Sequence, residues 1–190
     1  MAPMAFDLAD RLQTPVMVLS DLDIGMNDWM CPDLKWDKDY KPDKGKVLTA
    51  EDLEGMEKFY RYLDVDGDGI PYRTLPGVHP KGSYFTRGSG HTKFGTYTED
   101  PKQYQEVLDR LLTKWNTART LVPEANIEYS KFNNEAIISL GSCDGAVKEA
   151  LDILKKKNIG LNYCRVKAFP FTVAIREFID NHDCIYVVDQ

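Results

Sequence analysis

An α/β fold is what this chain of 190 residues predicts, and three features of it carry the prediction. Short apolar runs at Ala136–Leu140, 161–166 and Ile185–Val188 alternate with helical patterns at 144–157 and Thr172–Asn181. Strand–helix–strand–helix–strand at that spacing implies parallel pairing through right-handed crossovers. A 3.6-residue apolar period runs from Tyr104 to Ala118, and a helix followed by a short apolar run opens the chain. Together these imply a three-layer, Rossmann-like parallel sheet preceded by a long irregular arm and by a remnant helix and strand.

The elements follow in order. Residues 4–13 read as a helix with Phe6, Leu8, Ala9 and Leu12 apolar, ended by Thr14-Pro15, because the residue before proline avoids the helical region. Val16–Leu19 is apolar throughout, as a buried parallel strand is. Residues 28–48 are polar, broken by Pro32, Pro42 and Gly45 and punctuated by Trp29, Trp36 and Tyr40. That pattern predicts an irregular arm pinned down by its aromatics. Thr49 as cap, Glu51 and Asp52 in the first turn, and Met56, Phe59, Tyr60 and Leu63 as an apolar face predict a short helix. Residues 64–100 are rich in glycine and proline and carry little periodicity, so they form a loop that is functional or wraps another surface.

Asp100-Pro101 with Gln103 is a helix start. Tyr104, Val107, Leu108, Leu111, Leu112, Trp115 and Ala118 give that helix an inward face, and it ends before Pro123. In the last third Ala146, Val147, Ala150, Leu151 and Leu154 face inward, and Thr172 caps the final helix.

Composition excludes several classes. Hydrophobic residues at 43% and charged residues at 28% are those of a globular protein. No apolar run approaches the ~18 residues that span a bilayer, so no membrane partner is expected. A net charge of -6 argues against nucleic acid, which needs clustered Lys and Arg. Cys31, Cys143, Cys164 and Cys184 form no C-x-x-C pair, so neither a zinc ribbon nor a cysteine-ligated iron–sulfur cluster is written here. Cys164 and Cys184 lie in apolar runs and read as buried thiols in a reducing compartment, the cytoplasm, rather than as a disulfide.

The candidate sites each carry a plainer alternative. Asp64, Asp66 and Asp68 with Gly69 match the first half of a calcium loop, but Leu75 stands where that loop needs its bidentate Glu, Pro71 sits at its eighth position and no exit helix follows. The favoured reading is a tight turn whose carboxylates cap backbone amides, with a metal site as the alternative. Arg87-Gly88-Ser89-Gly90-His91 can cradle an anion or be a surface turn, and Arg73 joins Arg87 and His91 as an anion or interface candidate. Gly141-Ser142-Cys143-Asp144-Gly145 joins a strand to its helix at the edge where α/β sheets bind ligands. There Ser142 is the anion candidate, and Ser142 or Asp144 is the plain helix cap. His79 and His182 have no partner at metal-ligand spacing, and no nucleophile–base pair is recognisable.

Several stretches together resemble one family. Gln13-Thr14-Pro15-Val16 leading to Leu19-Ser20-Asp21-Leu22-Asp23-Ile24-Gly25-Met26-Asn27 is the first. Asp66–Gly77, Tyr84–His91, Tyr97–Pro101, Ala168-Phe169-Pro170-Phe171 and Tyr186–Gln190 continue it in order. They resemble the alpha subunits of 2-oxoacid:ferredoxin oxidoreductases, especially the 2-oxoglutarate type. The resemblance implies that residues 1–27 end a pyrimidine-binding domain, residues 28–123 are a connecting arm with two helices, and residues 124–190 are an incomplete transketolase-C-terminal-like domain. It implies an internal piece of an enzyme that decarboxylates a 2-oxoacid on thiamine diphosphate, reduces ferredoxin and releases an acyl-CoA. The piece is expected to supply scaffold and interface, with no catalytic residue and no activity alone. Thiamine diphosphate, Mg and iron–sulfur clusters belong to the whole complex, none being bound by this chain alone. Its expected partners are the thiamine-binding beta subunit, the remaining alpha-subunit segments and, through the complex, ferredoxin. Isolated, with sheet edges open, it is expected to self-associate as a homo-oligomer.

Overall fold

The computed structural model describes residues 2–28, 30–88, 90–130 and 134–189. Trp29, Ser89 and Gln190, named above, lie outside them. The helices α1 (Ala2–Leu12), α2 (Leu22–Met26), α3 (Ala50–Gly55) and α4 (Pro101–Ala118) precede β1 (Asn126–Glu128), β2 (Glu135–Ser139), α5 (Cys143–Lys156), β3 (Asn162–Arg165), α6 (Val173–Asp180) and β4 (Cys184–Val188). The chain forms two compact units: Met1–Met17 with Asp39–Ala118, and Val18–Lys38 with Arg119–Gln190.

The second unit is a mixed α/β structure around a four-stranded sheet of order β1-β3-β2-β4. β2 pairs in parallel with β3, placing Ile138 opposite Cys164, and in parallel with β4, placing Ile137 opposite Tyr186. Alternation along a strand sends its side chains to opposite faces. Ala136, Ile138, Cys164 and Val166 therefore bury against Ile175 and Phe178 of α6. Ile137 and Tyr163 bury on the other face against Val147, with Leu151 of α5 packed alongside. This is the three-layer arrangement that the sequence predicts, and its three parallel strands are the three apolar runs. β1 is an addition: it pairs antiparallel with β3, and three residues are too few to show a period. Thr172 holds the cap position of α6, but its hydroxyl is buried and makes no cap hydrogen bond.

The first unit has a smaller apolar centre of Leu48, Leu53 and Phe59, with Met56 and Tyr72 beside it. Thr49 caps α3 in a reciprocal capping box: its Oγ1 accepts from Asp52 N at 3.2 Å, and its N donates to Asp52 Oδ2 at 2.8 Å. The helix stops at Gly55, where Met56 turns extended. The expected apolar face from Met56 to Leu63 is thus not helical, and Phe59 reaches the core from irregular chain.

Three further expectations are corrected. Of the two cysteines in apolar runs Cys164 is buried, but Cys184, on the edge strand β4, is exposed. Val16–Leu19 forms no strand, since no described segment offers it a ladder, and Leu19 stands 85% exposed. On α4 the packed face is not the apolar stripe. Val107, Leu111, Lys114 and Ala118 turn inward while Tyr104, Leu108, Leu112 and Trp115 stay exposed, Leu112 at 61%. The cause is polar: Thr117 Oγ1 donates to Asp68 O at 2.6 Å and Arg110 Nη1 to Gly69 O at 2.8 Å, which rotates the helix onto the turn. Tyr40 does pin its part of the arm, donating to Asp7 Oδ1 at 2.6 Å, whereas Trp36 is 74% exposed.

Candidate functional site

In the α/β unit the polar groups gather at the carboxyl ends of β2 and β3. Ser142, at the N-terminus of α5, is where an α/β sheet ordinarily receives an anion. Here the chain provides its own. Asp21, which caps α2 by accepting Ile24 N at 2.8 Å, also accepts Ser142 N at 2.9 Å through its other oxygen. Those bonds, Ile24 first and then the Ser142 side chain, hold the Asp21 carboxyl below its usual range. Gly141 makes the approach possible: its φ is +59, and a Cβ there would lie 2.8 Å from Asp21 Oδ2.

Beside it Tyr163 and Arg165, alternate residues of β3, converge on Asp144. Tyr163 OH donates to Asp144 Oδ1 at 2.9 Å and lies 2.6 Å from Ser139 Oγ. Lys148 and Arg165 take Asp144 Oδ2 at 3.1 and 3.2 Å, and Arg165 also reaches Gly141 O. Burial alone raises the Asp144 carboxyl, but Lys148, Tyr163 and Arg165 outweigh it and hold it below its usual range. Burial, with Asp144 as acceptor, pushes the Tyr163 phenol up to about 12. Each group is tied to another of the set, so the network stiffens the strand–helix turn. Sequence reasoning named Asp144 as a cap but missed Tyr163 and Arg165. The signal was their shared strand face next to the Gly141–Gly145 turn.

In the other unit the structure brings Asp64, Asp66 and Asp68 together, one carboxylate oxygen of each lying within 4.8 Å of the others. Asp64 spends its two oxygens on Gly67 N (2.9 Å) and Gly69 N (2.7 Å), and Asp68 Oδ1 accepts Ile70 N at 2.8 Å. The Lys46 ammonium enters the same cluster, 2.6 Å from Asp66 Oδ1, 2.7 Å from Asp68 Oδ1 and 3.0 Å from Ile70 O. Two carboxylates and a carbonyl around one cation is the ligand chemistry of a metal loop, met here by a tethered ammonium. Burial opposes the Lys46 charge, but Asp66 and Asp68 prevail and raise its pKa.

The remaining candidates have separate partners. Arg73 Nη2 donates to Asp10 Oδ1 at 2.7 Å and Lys44 O at 2.8 Å, joining α1 to the arm. Arg73 and then Lys44 hold the Asp10 carboxyl below its usual range. Arg87 lies over the Tyr97 ring at 5.7 Å. His91 stacks on Tyr62 at 3.9 Å and pairs across a small hairpin with Tyr97. Arg87 also lines a groove of about 430 Å³ with Lys58, Tyr60, Tyr84, Phe94 and Tyr97. His182 bonds Asn162 and the Phe178 carbonyl at the end of α6, and His79 caps Lys81 N and meets Glu54.

The fold and these sites define a class before any particular relative. The chain resembles the alpha subunits of 2-oxoacid:ferredoxin oxidoreductases along nearly its whole length. It is 25% identical over 191 aligned residues to subunit alpha of 2-oxoacid:ferredoxin oxidoreductase 2 of Aeropyrum pernix, covering 98% of this chain and 29% of that protein. It is 25% identical to the alpha subunit of the Saccharolobus solfataricus enzyme, covering 88% of this chain and 26% of that one. The 2-oxoglutarate:ferredoxin oxidoreductase of Magnetococcus marinus, solved with 2-oxoglutarate, coenzyme A and succinyl-CoA bound, shares the fold. That match has a TM-score of 0.75 at 22% identity over 95% of this chain and 31% of the other. The chain thus spans under a third of the length of the relatives it matches. No family model matches it. Among the described residues no helix is long and apolar enough to cross a membrane.

Proposed function

We propose that this chain is part of the alpha subunit of a cytoplasmic, thiamine-diphosphate-dependent 2-oxoacid:ferredoxin oxidoreductase acting on 2-oxoglutarate. The whole enzyme decarboxylates the acid to an acyl-CoA and reduces ferredoxin. Within it the chain supplies scaffold and subunit interface. The observation that carries this reading is a collinear match over 98% of the chain to a protein of which it spans 29%.

Three features support the role. The polar groups at the sheet edge are bonded to one another. Tyr104, Leu108, Leu112 and Trp115 line an uncovered face of α4, and Phe169 and Phe171 stand exposed ahead of α6. Such apolar surface suits the beta subunit or the remaining alpha-subunit segments. The donor sets also do not fit the family's cofactors. Asp64, Asp66 and Asp68 are the one metal-competent trio among the described residues, and Lys46 already engages two of them. The four cysteines join no such group, so they offer no iron–sulfur ligand set within these residues.

The test is reconstitution. The chain is assayed with 2-oxoglutarate, CoA, thiamine diphosphate and ferredoxin, alone and with the beta subunit and the remaining alpha segments. Ferredoxin reduction only in the complete mixture supports the proposal, and turnover by the chain alone overturns it. A stand-alone calcium- or anion-binding module is the second reading. The convergence of Asp64, Asp66 and Asp68 favours it, and Lys46 among them opposes it.

A further inference from the structure

The groove of about 430 Å³ in the unit built on residues 39–118 is lined by three stretches of chain, residues 58–60, 83–87 and 94–97. No carboxylate lies in that lining. Tyr84, Phe85, Phe94 and Tyr97 are exposed there, Phe85 at 84%. Edge-on ring contacts tie the stretches together. Phe59 meets Tyr84 with centres 6.0 Å apart, and Tyr60 meets Phe94 at 4.9 Å. Aromatic walls held by one another give a groove formed before anything binds, which lowers the ordering cost of binding.

Two cations belong to the same lining. Lys58 Nζ lies 5.1 Å from the centre of the Tyr60 ring, and the Arg87 guanidinium 5.7 Å from that of Tyr97. Among the described residues neither has an ion pair. The acidic groups bonded close by have other partners: Glu99 accepts the Tyr97 phenol, and Glu106 pairs with Lys93 at 3.6 Å. Polar backbone is unpaired as well. From Tyr84 to Arg87 the chain joins no helix or strand and makes no backbone hydrogen bond among the described residues. Such a run of amides and carbonyls is a template for another chain. The Thr86 hydroxyl, in the middle of that run, is buried and has no hydrogen-bond partner among them, whereas buried hydroxyls are ordinarily bonded.

We infer that this groove docks an extended acidic segment of another polypeptide, with apolar side chains set between its carboxylates. Arg87 and Lys58 meet the carboxylates, the arginine as a fork and the lysine as a point charge. The exposed rings take the apolar side chains, and residues 84–87 pair with the segment as an added strand. Exposed aromatics around an arginine are the composition of an interface centre. Two cations and no carboxylate in the lining select an acidic partner and repel a basic one. These side chains are in place whatever reaction the whole protein performs, so a failed test here leaves the reconstitution result untouched.

The test is an amide NMR titration of the nitrogen-labelled full chain with three capped heptapeptides, EVEVEVE, EGEGEGE and KVKVKVK, at constant ionic strength. EVEVEVE is expected to move the amide signals of residues 84–87 saturably. Arg87→Glu and Lys58→Glu should each weaken that binding roughly tenfold, the loss of one charge-assisted contact in each case. EGEGEGE, which has nothing to lay on the rings, should bind about tenfold more weakly, and KVKVKVK should not bind. Lys58 and Arg87 are both exposed, so the variants should keep the wild-type spectrum away from the groove. If a charge reversal does not fold, Arg87→Gln carries the test. No saturable shift with EVEVEVE overturns the inference, as does equal binding of either other peptide or equal binding by wild type and folded variants. Shifts of the same amides that grow with protein concentration alone would put a second copy of the chain in the groove, and overturn it too.

Discussion

The two units of this chain are held together by different physics. The unit completed by residues 119–190 buries both faces of a sheet under α5 and α6, and its apolar clusters interlock along alternating strand positions. The unit that contains residues 39–118 has a smaller apolar cluster of Leu48, Leu53 and Phe59, buries Leu8, Leu12, Ile70 and Ala118 besides, and is cross-linked by polar side chains reaching distant backbone. Lys46 reaches Ile70 O, Arg73 reaches Lys44 O, Arg110 reaches Gly69 O and Thr117 reaches Asp68 O. The lesson is that periodic burial leaves a periodic sequence, whereas cross-links between irregular segments leave almost no pattern to read.

The largest expected effect lies in the apolar unit. Phe178 is fully buried, beside Tyr129 and His182 as well as the strands. Phe178→Ala is expected to cost about 3–5 kcal/mol, read by urea denaturation of the full chain. Leu53→Ala, in the smaller cluster, should fall near 2 kcal/mol, the low end for such truncations. Equal losses would remove the contrast between the units.

Gly69→Ala attacks the polar unit where α4 meets the turn. Gly69 has φ +80, and a Cβ there would sit 2.3 Å from Lys114 N and 2.7 Å from Arg110 O, both backbone atoms. Strain and overlap cannot relax without moving the helix, so a loss on the order of 3 kcal/mol is expected in the same denaturation. Gly67→Ala is the control. It shares a positive φ but meets nothing within 4 Å, so it should cost only about 1 kcal/mol.

The same contrast explains what was legible. The three parallel strands and helices α5 and α6 were readable because Ile137, Ile138, Tyr163 and Cys164 alternate between two covered faces. The start of α4 was readable from Asp100, whose carboxylate accepts Lys102 N at 2.8 Å. Its facing was not, because Arg110 and Thr117 choose the buried side through carbonyls that no periodicity records. At the sites, the tight-turn geometry of Asp64 and Asp68 followed from local spacing. Lys46 did not, since it arrives from 20 residues away. Asp21 is hidden for the same reason, lying 121 residues from the Ser142 amide it caps.

Lys46→Ala sharpens the comparison by removing the ammonium that the aspartate turn encloses. Because Asp66 is 42% exposed and screened, the expected cost is modest, about 1–2 kcal/mol by thermal or urea unfolding. The more telling result is rescue. With the tethered cation gone, millimolar calcium should raise the melting temperature of Lys46→Ala while leaving the wild type unmoved. A wild type that responds as strongly would show that Lys46 does not hold the cation's place.

The smallest effect compares two tyrosines, one in each unit, that both donate to a carboxylate. Tyr163 in the α/β unit and Tyr40 in the other each have a phenol pushed up to about 12, Tyr163 first by burial and Tyr40 first by its bond to Asp7. A pKa raised on folding means that the stabilisation is complete below the unfolded phenol's value of 10.0 and is lost as pH rises through the folded value. Tyr163→Phe strands Ser139 Oγ and one Asp144 oxygen in a buried place, and should cost about 1 kcal/mol at pH 7. Between pH 10 and about 12 the wild type loses that advantage, so its unfolding midpoint should converge on that of Tyr163→Phe. Tyr40→Phe, at a half-buried bond nearer solvent than the Ser139–Tyr163 pair, should lose less than Tyr163→Phe at pH 7, and its own alkaline convergence should be correspondingly shallower. Urea midpoints for the three proteins at pH 7, 10 and 12, with phenolate absorbance followed in parallel, test this directly. If Tyr40→Phe loses as much as Tyr163→Phe, polar cross-links in the irregular unit carry as much weight as the buried network of the sheet, and the division drawn between the two units fails.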